Sequence, residues 1–541
     1  MKGEMLFAAL AASLALGGYA EANQARDISA DEIAAAVRAD LEHEIRPGGV
    51  NGSPFWNGYS RFFMYPPAFD FPAVNGATEY RYEVVDAKGG VHVFTAPVPT
   101  ASLKALWPEL PSGWTTVTCF AITQKPHDRP ASPMVSRCFW KQAPFTGDYP
   151  AAVRGYGEAA RLAKAWLRNQ DAYRKFLATG DGASCGYWGM TYPSKMVASI
   201  VRALTVGEPS GQDLAEARKF ADWILSISEG ADRPLAHFPP TYFKTTHENQ
   251  AASTRYLGQV MLVYPAEVGE ALVDLHAKTK EAKYLDAARN IAATYLRLQG
   301  EDGTWPLKMS LETGKEIAPN RLMPIGSVIP FLESLYGATG DVRYRAAADR
   351  AFAYVENGPV RTWNWEGQFE DVEPDAAYRD LTKHDACATA LYVLKRYPGD
   401  AKHLALAREL LRFSEDQFVC WEKPFPDMPT TVNLLTVKKW TVPGALEQYY
   451  WYVPVDASAS KLIRTYLALW RAEKNPLDLA KAKALGDSLT RMQQPDGFIT
   501  TEWVDESWLV PWWNCLLVDA KVLGELERAT QPCKAAPASL P

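Results

Sequence analysis

At 541 residues the chain exceeds one ordinary domain of about 100 to 200 residues, and 47% hydrophobic with 22% charged residues marks it as globular. A net charge of only -6 gives no basic footprint for nucleic acid. The 18 Trp and 25 Tyr are more than a core of this size needs and point to an aromatic-lined cleft.

Residues 1–20 read as a signal peptide: a charged start at Met1-Lys2-Gly3-Glu4, an apolar run from Met5 to Leu16, and a small-residue cleavage site at Gly18-Tyr19-Ala20. A secreted or periplasmic protein is therefore expected, and no later run of about 18 apolar residues offers a membrane span. Seven cysteines permit disulfides, with Cys119 and Cys138, in neighbouring strand-like runs, the favoured pair. No Cys-x-x-Cys or Cys/His spacing suggests zinc, and neither a metal nor a cofactor is implied.

Residues 21–50 hold a helix and linker, the helix opened by the capping box Ser29-Ala-Asp-Glu32 and running to about Glu44 as a polar strut. Over residues 51–143 the pattern alternates as strands do, in Tyr80–Val85, Val91–Phe94 and Trp114–Ile122. Turns at Asn75-Gly76, Lys88-Gly-Gly90 and Pro111-Ser-Gly113 separate them, which predicts a small β-sandwich accessory domain. From about residue 150 to 530 the chain is helical, with 531–541 a tail. Small-residue helix faces recur at Ala160, Ala217, Ala288, Ala348, Ala407 and Ala482, spaced by roughly 57 to 75 residues, the mark of six stacked units. Between them lie less polar helices beginning near Pro193, Gln250, Pro324, Asp385, Asp456 and Val510, the second interrupted or kinked at Pro265. Twelve helices alternating polar and apolar predict two concentric rings, an (α/α)6 toroid in a mainly α protein.

Turns from inner to outer helix are short and those from outer to inner are long, so six long loops gather at the N-termini of the inner helices, where function is expected. These loops are rich in Trp and Tyr, which stack on sugar faces, and in carboxylates, Arg and Asn, which address hydroxyls. Trp188, Tyr192, Trp305, Trp363, Trp365, Tyr450, Trp451, Trp508 and Trp512 are expected to line subsites, although of Trp512 and its neighbour Trp513 one should pack inward. The motif Gln299-x-x-x-Gly-x-Trp305 matches triterpene cyclase repeats, but no Asp-x-Asp-Asp acid accompanies it, so it reads as a hairpin-tip structural element.

Six helical hairpins with Asp302-Gly-Thr-Trp305 and Asp496-Gly-Phe498 at their tips resemble the six-hairpin glycosidase-like superfamily, which includes unsaturated glucuronyl hydrolases and is architecturally close to toroid polysaccharide lyases. Phe69 to Val84 resembles the opening strands of fibronectin type III-like modules fused to carbohydrate-active enzymes. The first resemblance covers about residues 150 to 530 as architecture and implies a polysaccharide or oligosaccharide substrate; fold alone does not fix the reaction.

Hydrolysis needs two carboxyl groups flanking the bond, one protonated and one ionised. The loops offer Glu248, Glu366, Asp371, Glu373, Asp385, Glu447, Asp456, Glu502 and Asp505. Glu248 and Glu366 lead, whereas Asp385 and Asp456 also read as helix N-caps. The alternative is β-elimination on a uronic acid, for which His247-Glu248-Asn249 with Arg255-Tyr256 supplies the residue types, and His384-Asp385 a charge-paired His. Arg255 and Arg321 are candidate carboxylate partners, with salt bridges as their structural alternative. Sugar epimerisation and pure glycan binding complete the set.

Overall fold

The computed structural model describes residues 28–45, 57, 59–123, 133–247, 254–369, 376–422, 443–449, 451–503 and 512–531, with backbone alone at 451 and 452. The leader, residues 1–20, lies outside them. Helix α1 (Ala30–Asp40) starts at the expected capping box, with Ser29 Oγ accepting from the Glu32 amide and the Glu32 carboxylate accepting from the Ser29 amide. Its buried face carries Ile33 and Val37, and the remaining faces are alanine mixed with charged residues.

The N-terminal strands are β1 (Phe62–Phe63), β2 (Ala68–Asp70), β3 (Ala77–Val85), β4 (Val91–Ala96), β5 (Thr100–Ser102), β6 (Gly113–Thr123) and β7 (Val135–Lys141). They form a five-stranded sheet in the order β1-β7-β6-β3-β4, with β1 parallel to β7, and a separate β2-β5 ribbon whose Phe69 packs 5.4 Å from Tyr82 on the sheet's buried face. The layers are thus five strands and two. The expected sandwich of two comparable sheets is not established, and this order lends no support to the fibronectin type III-like resemblance. The Cys119–Cys138 disulfide is absent. In the β6-β7 register Cys119 faces Val135 while Cys138 faces Thr116, so the two thiols are three positions apart, one buried and one exposed, and both are free.

Among the described residues thirteen longer helices follow: α2 (Tyr156–Asn169), α3 (Asp171–Thr179), α4 (Pro193–Thr205), α5 (Gly211–Ser226), α6 (Val263–Thr279), α7 (Ala282–Leu298), α8 (Val328–Thr339), α9 (Val342–Asn357), α10 (His384–Arg396), α11 (Ala401–Phe418), α12 (Asp456–Glu473), α13 (Pro476–Met492) and α14 (Trp513–Thr530), with a single turn at Pro359–Thr362. Helices α4, α6, α8, α10, α12 and α14 form the inner ring. Each packs on the next, α8 reaching α10 through its leading turn Pro324–Gly326, and α14 returns to α4. Because α14 also packs on α2, the last inner helix closes on the first outer one. Ala217, Ala288, Ala348, Ala407 and Ala482 have no exposed surface, as small residues at close helix contacts should. The inner helix predicted near Gln250 starts instead at Val263. Pro265 sits in its first turn, where a missing N–H breaks no helical bond, and so produces no kink.

The tips of two outer helices share one device. Gln299 Nε2 donates to the Gly303 and Ala347 carbonyls, and Gln493 Nε2 donates to those of Gly497 and Ala159, stapling each tip to a neighbouring outer helix. Both glycines have positive φ, 88° and 102°, and a Cβ on either would meet a backbone oxygen of that neighbour, at 2.4 and 2.2 Å. The motif is structural, as the sequence suggested.

Candidate active site

The N-termini of the inner helices meet at one end of the ring, and an irregular sheet crosses that end. Glu366 pairs with Leu381 and Thr382 with Gln448. Strands β10 (Val419–Cys420), β11 (Gly444–Gln448) and β12 (Trp451–Pro454) continue the ladder, and Val455 pairs with Glu502. A shorter pair, β8 (Gln259–Met261) with β9 (Lys308–Ser310), leads into α6. This rim sheet brings Glu366, Glu447 and Glu502 to the helix starts at His384 and Asp456. Lys383, almost fully buried, fastens it by donating to the carbonyls of Leu446 and Glu447, at 2.8 and 2.6 Å, and to Ser458 Oγ.

Below the rim, the first two turns of four inner helices contribute titratable groups to one space: Lys195 from α4, Glu267 from α6, His384 and Asp385 from α10, and Lys461 from α12. Lys461 Nζ lies 3.4 Å from His384 Nε2. Gly326, leading into α8, lines the same space: a Cβ there would stand 3.0 Å from Asp385 Oδ1 and 3.6 Å from His384 Nε2. Burial governs the charge states. It raises Glu267 to about 7 against the pull of Arg202, Lys195 and Lys461, and raises Asp385 to about 7 against the pull of Lys461. Burial, with the nearby Lys461, Lys383 and Lys195, holds His384 well below its ordinary value, so its imidazole is neutral. Lys461 is itself lowered, first by burial and then by Arg464. Asp385 and Asp456 are not N-caps: Lys383 and Val455 occupy those positions, and both acids are buried at the helix starts.

Asp456 faces Asp519 of α14 in a second layer. The Oδ2 atoms of both are buried without a donor, and Ser460 Oγ donates to Asp519 Oδ1 at 2.7 Å. Burial first, and then Asp519, raises Asp456 well above the carboxylate range; burial raises Asp519 to about 7. Two buried carboxyls this close disfavour ionisation of both at once.

One wall is aromatic and continuous. Trp188 packs edge-on against Trp512 at 4.2 Å, Trp512 lies 5.9 Å from Tyr192, Tyr192 lies 6.0 Å from Tyr242, and Tyr242 lies 5.3 Å from Tyr256. Lys195 Nζ is 4.4 Å from the centroid of Trp512, while Lys308 Nζ and the Arg255 guanidinium lie 4.7 and 5.2 Å from that of Tyr256. Phe369 stands 6.3 Å from the His384 ring. Trp513 is buried and stacked on Tyr187 at 3.8 Å, leaving Trp512 as the half-buried member of the pair.

Trp188, Tyr192, Tyr256, Arg255 and Trp512 thus come together, as do His384, Asp385 and, through the rim sheet, Glu366. His247 sits on the loop crossing residues 183–191, with its amide bonded to Thr245 Oγ1 at 3.2 Å. Glu248, Asn249, Tyr450 and Trp508, with the Trp451 side chain, lie outside the described residues. Two tryptophans are corrected. Trp305 and Trp365 have no exposed surface, and Trp305 Nε1 donates to the Tyr295 carbonyl, so neither offers a face to a sugar. Trp363 packs on Phe413 of outer helix α11 at 5.6 Å. Arg321 takes its structural alternative, bridging Glu316 at 3.4 Å and Asp302 at 3.5 Å. Sequence reasoning missed Lys195, Tyr242, Glu267, Lys461 and Asp519. The available signal was a charged residue within the first two turns of an otherwise apolar helix, as in Val263-Tyr-Pro-Ala-Glu-Val-Gly269. Among the described residues no cluster of three or more His, Cys, Asp or Glu is arranged to hold a metal, and no helix is long and apolar enough to cross a membrane.

No family model matches this sequence, and no curated protein matches it. Solved structures do. Cellobiose 2-epimerase from Spirochaeta thermophila superposes with a TM-score of 0.50 at 13% identity, over 69% of this chain and 97% of that one. A family 76 glycoside hydrolase from a bovine Bacteroides thetaiotaomicron strain gives 0.44 at 11% identity, over 85% and 95%. An unsaturated glucuronyl hydrolase specific for heparin gives 0.43 at 10%, over 69% and 97%. At such identity the epimerase likeness establishes the fold, which is that of an (α/α)6 toroid.

Proposed function

We propose that the chain is a carbohydrate-active enzyme that hydrolyses a glycosidic bond in a polysaccharide or oligosaccharide bound along the Trp188–Tyr256 wall. The observation that carries this is Asp385, a carboxyl held near 7 at the axial end of an aromatic wall, where a proton donor to a leaving oxygen is needed at neutral pH. Asp385 is the general acid. Glu366, whose strand pairs with Leu381 just before it, is the second carboxylate and acts on water or on the anomeric carbon. His247 borders the opening, Trp188, Tyr192, Tyr256 and Trp512 form subsites, and a chain of this kind acts outside the cytoplasm if residues 1–20 direct export.

One observation favours a second reading, β-elimination: neutral His384 beside the Lys461 ammonium would remove a C5 proton while the cation steadies the uronate carboxylate. The deciding experiment follows new reducing ends and absorbance near 235 nm during digestion of neutral and uronate-containing polysaccharides. Reducing ends without absorbance support hydrolysis. Absorbance supports elimination, epimerised sugar without new ends supports an isomerising site, and binding with no chemical change leaves a glycan-binding protein.

A further inference from the structure

Resting on the reading that this end of the ring binds a saccharide, we propose that Gly326 is a specificity-determining position: it keeps open a notch beside Asp385 in which an oxygen of the bound sugar sits against Oδ1. Inner helices α4, α6, α10 and α12 present Lys195, Glu267, His384 and Lys461 to the space below the rim. In the tight helical turn that leads into α8, the residue beside these groups is Gly326. A Cβ there would have its three nearest atoms in the site itself, Asp385 Oδ1 at 3.0 Å and His384 Nε2 and Cδ2 at 3.6 and 3.7 Å. An oxygen hydrogen-bonded to a carboxyl stands about 2.5 to 3.0 Å away, so even a methyl group would take the place the ligand oxygen needs.

The main chain does not require the glycine. Gly326 lacks the positive φ that favours glycine at 303 and 497, so the turn would accept a larger residue. Close packing is the other use of a glycine, and it leaves a different signature. Gly269 and Gly486 are buried, and a Cβ on them would run into Phe331 and Leu526, apolar side chains that fill the interior. Gly326 is partly exposed, and its Cβ would meet a carboxyl and an imidazole. Its turn also packs on α10, which makes stability the measurement that separates the two uses.

The test compares Gly326→Ala with a control, Gly486→Ala, in the full chain. It reads melting temperature, kcat and KM on a polysaccharide that the unmodified chain cleaves, and calorimetric affinity for cellobiose, mannobiose and digalacturonate. Gly326→Ala should melt no lower than the unmodified chain, because the turn accepts alanine and the unfolded state loses freedom. It should nevertheless lose about tenfold or more in kcat/KM and in affinity for the sugar that binds, the effect of one added methyl in a fitted site. Gly486→Ala should do the reverse, lowering the melting temperature with kcat/KM per folded molecule unchanged. Failure of Gly326→Ala to fold, or a lower melting temperature with kinetics and affinity per folded molecule unchanged, would make Gly326 a packing glycine and overturn the proposal. So would a variant indistinguishable from the unmodified chain. Cleavage that Gly326→Ala leaves intact keeps the hydrolase reading and removes this one. Sugar binding without cleavage, weakened by Gly326→Ala, does the opposite, and an unmodified chain that neither binds nor cleaves removes both.

Discussion

Toward the C-terminal ends of the inner helices, Arg202 meets Glu270 at 2.9 Å and Asp274 at 3.6 Å, and Arg464 meets Glu525 at 3.8 Å. Two turns nearer the mouth on α4, roughly 10 Å along the axis, stands Lys195, and on α12 Lys461 stands against an imidazole, while the neighbouring acids Glu267 and Asp385 are driven toward their neutral forms. The inner level pairs its cations with ionised acids, part of them still in water; at the outer level burial drives the acids toward their neutral forms, the condition a proton donor needs. Carboxyls pushed toward neutrality by burial are a better guide to a site than the count of loop acids.

That contrast can be broken from either side. The largest effect is expected from Asp385→Asn, an amide that replaces, at constant shape, an acid about half protonated near pH 7: turnover should fall at least about 100-fold while the melting temperature stays put. Reducing-end release within tenfold of the unmodified chain would remove Asp385 as the acid. Arg202→Met should do the opposite, costing about 2 kcal/mol of stability by leaving Glu270 and Asp274 without their partner, discounted for partial exposure, with turnover per folded molecule unchanged. Denaturant unfolding and activity at matched folded fraction separate the two. Trp512→Ala should raise KM about tenfold with a smaller change in kcat, since it removes a stacking face and not a reacting group. Trp363→Ala, packed on the outer ring, should leave KM where it was.

The smallest effect concerns pH. Asp519 is held at about 7 when folded against an ordinary 3.8, so the folded chain binds that proton more tightly than the unfolded chain. Its contribution is fully present below about pH 4 and is lost as pH rises through about 7. Asp519→Asn should therefore flatten part of the decline in melting temperature between about pH 5 and 7.5. An identical slope in both proteins would show that the fold does not hold Asp519 protonated.

Much of this architecture is written locally. The Ser29–Glu32 capping box, the recurrent buried alanines, and the glycines at 303 and 497 each act within one helix turn or one hairpin tip, so their patterns survive in the sequence. The same reading erred where the answer depended on packing. Trp305 and Trp512 both lie in loops leading to inner helices, but only the ring's closure buries the first beneath Tyr295 and leaves the second facing Tyr192 and Lys195.

Taken alone, the sequence determined twelve alternating helices and their short and long connections, because hydrophobic period and turn chemistry are properties of neighbouring residues. Tertiary structure alone decided that Lys195, Glu267, His384, Asp385 and Lys461 face one another, since residues up to 266 positions apart meet only when six helix pairs close into a ring. It also decided their charge states, because desolvation belongs to the assembled interior and to no segment of the chain.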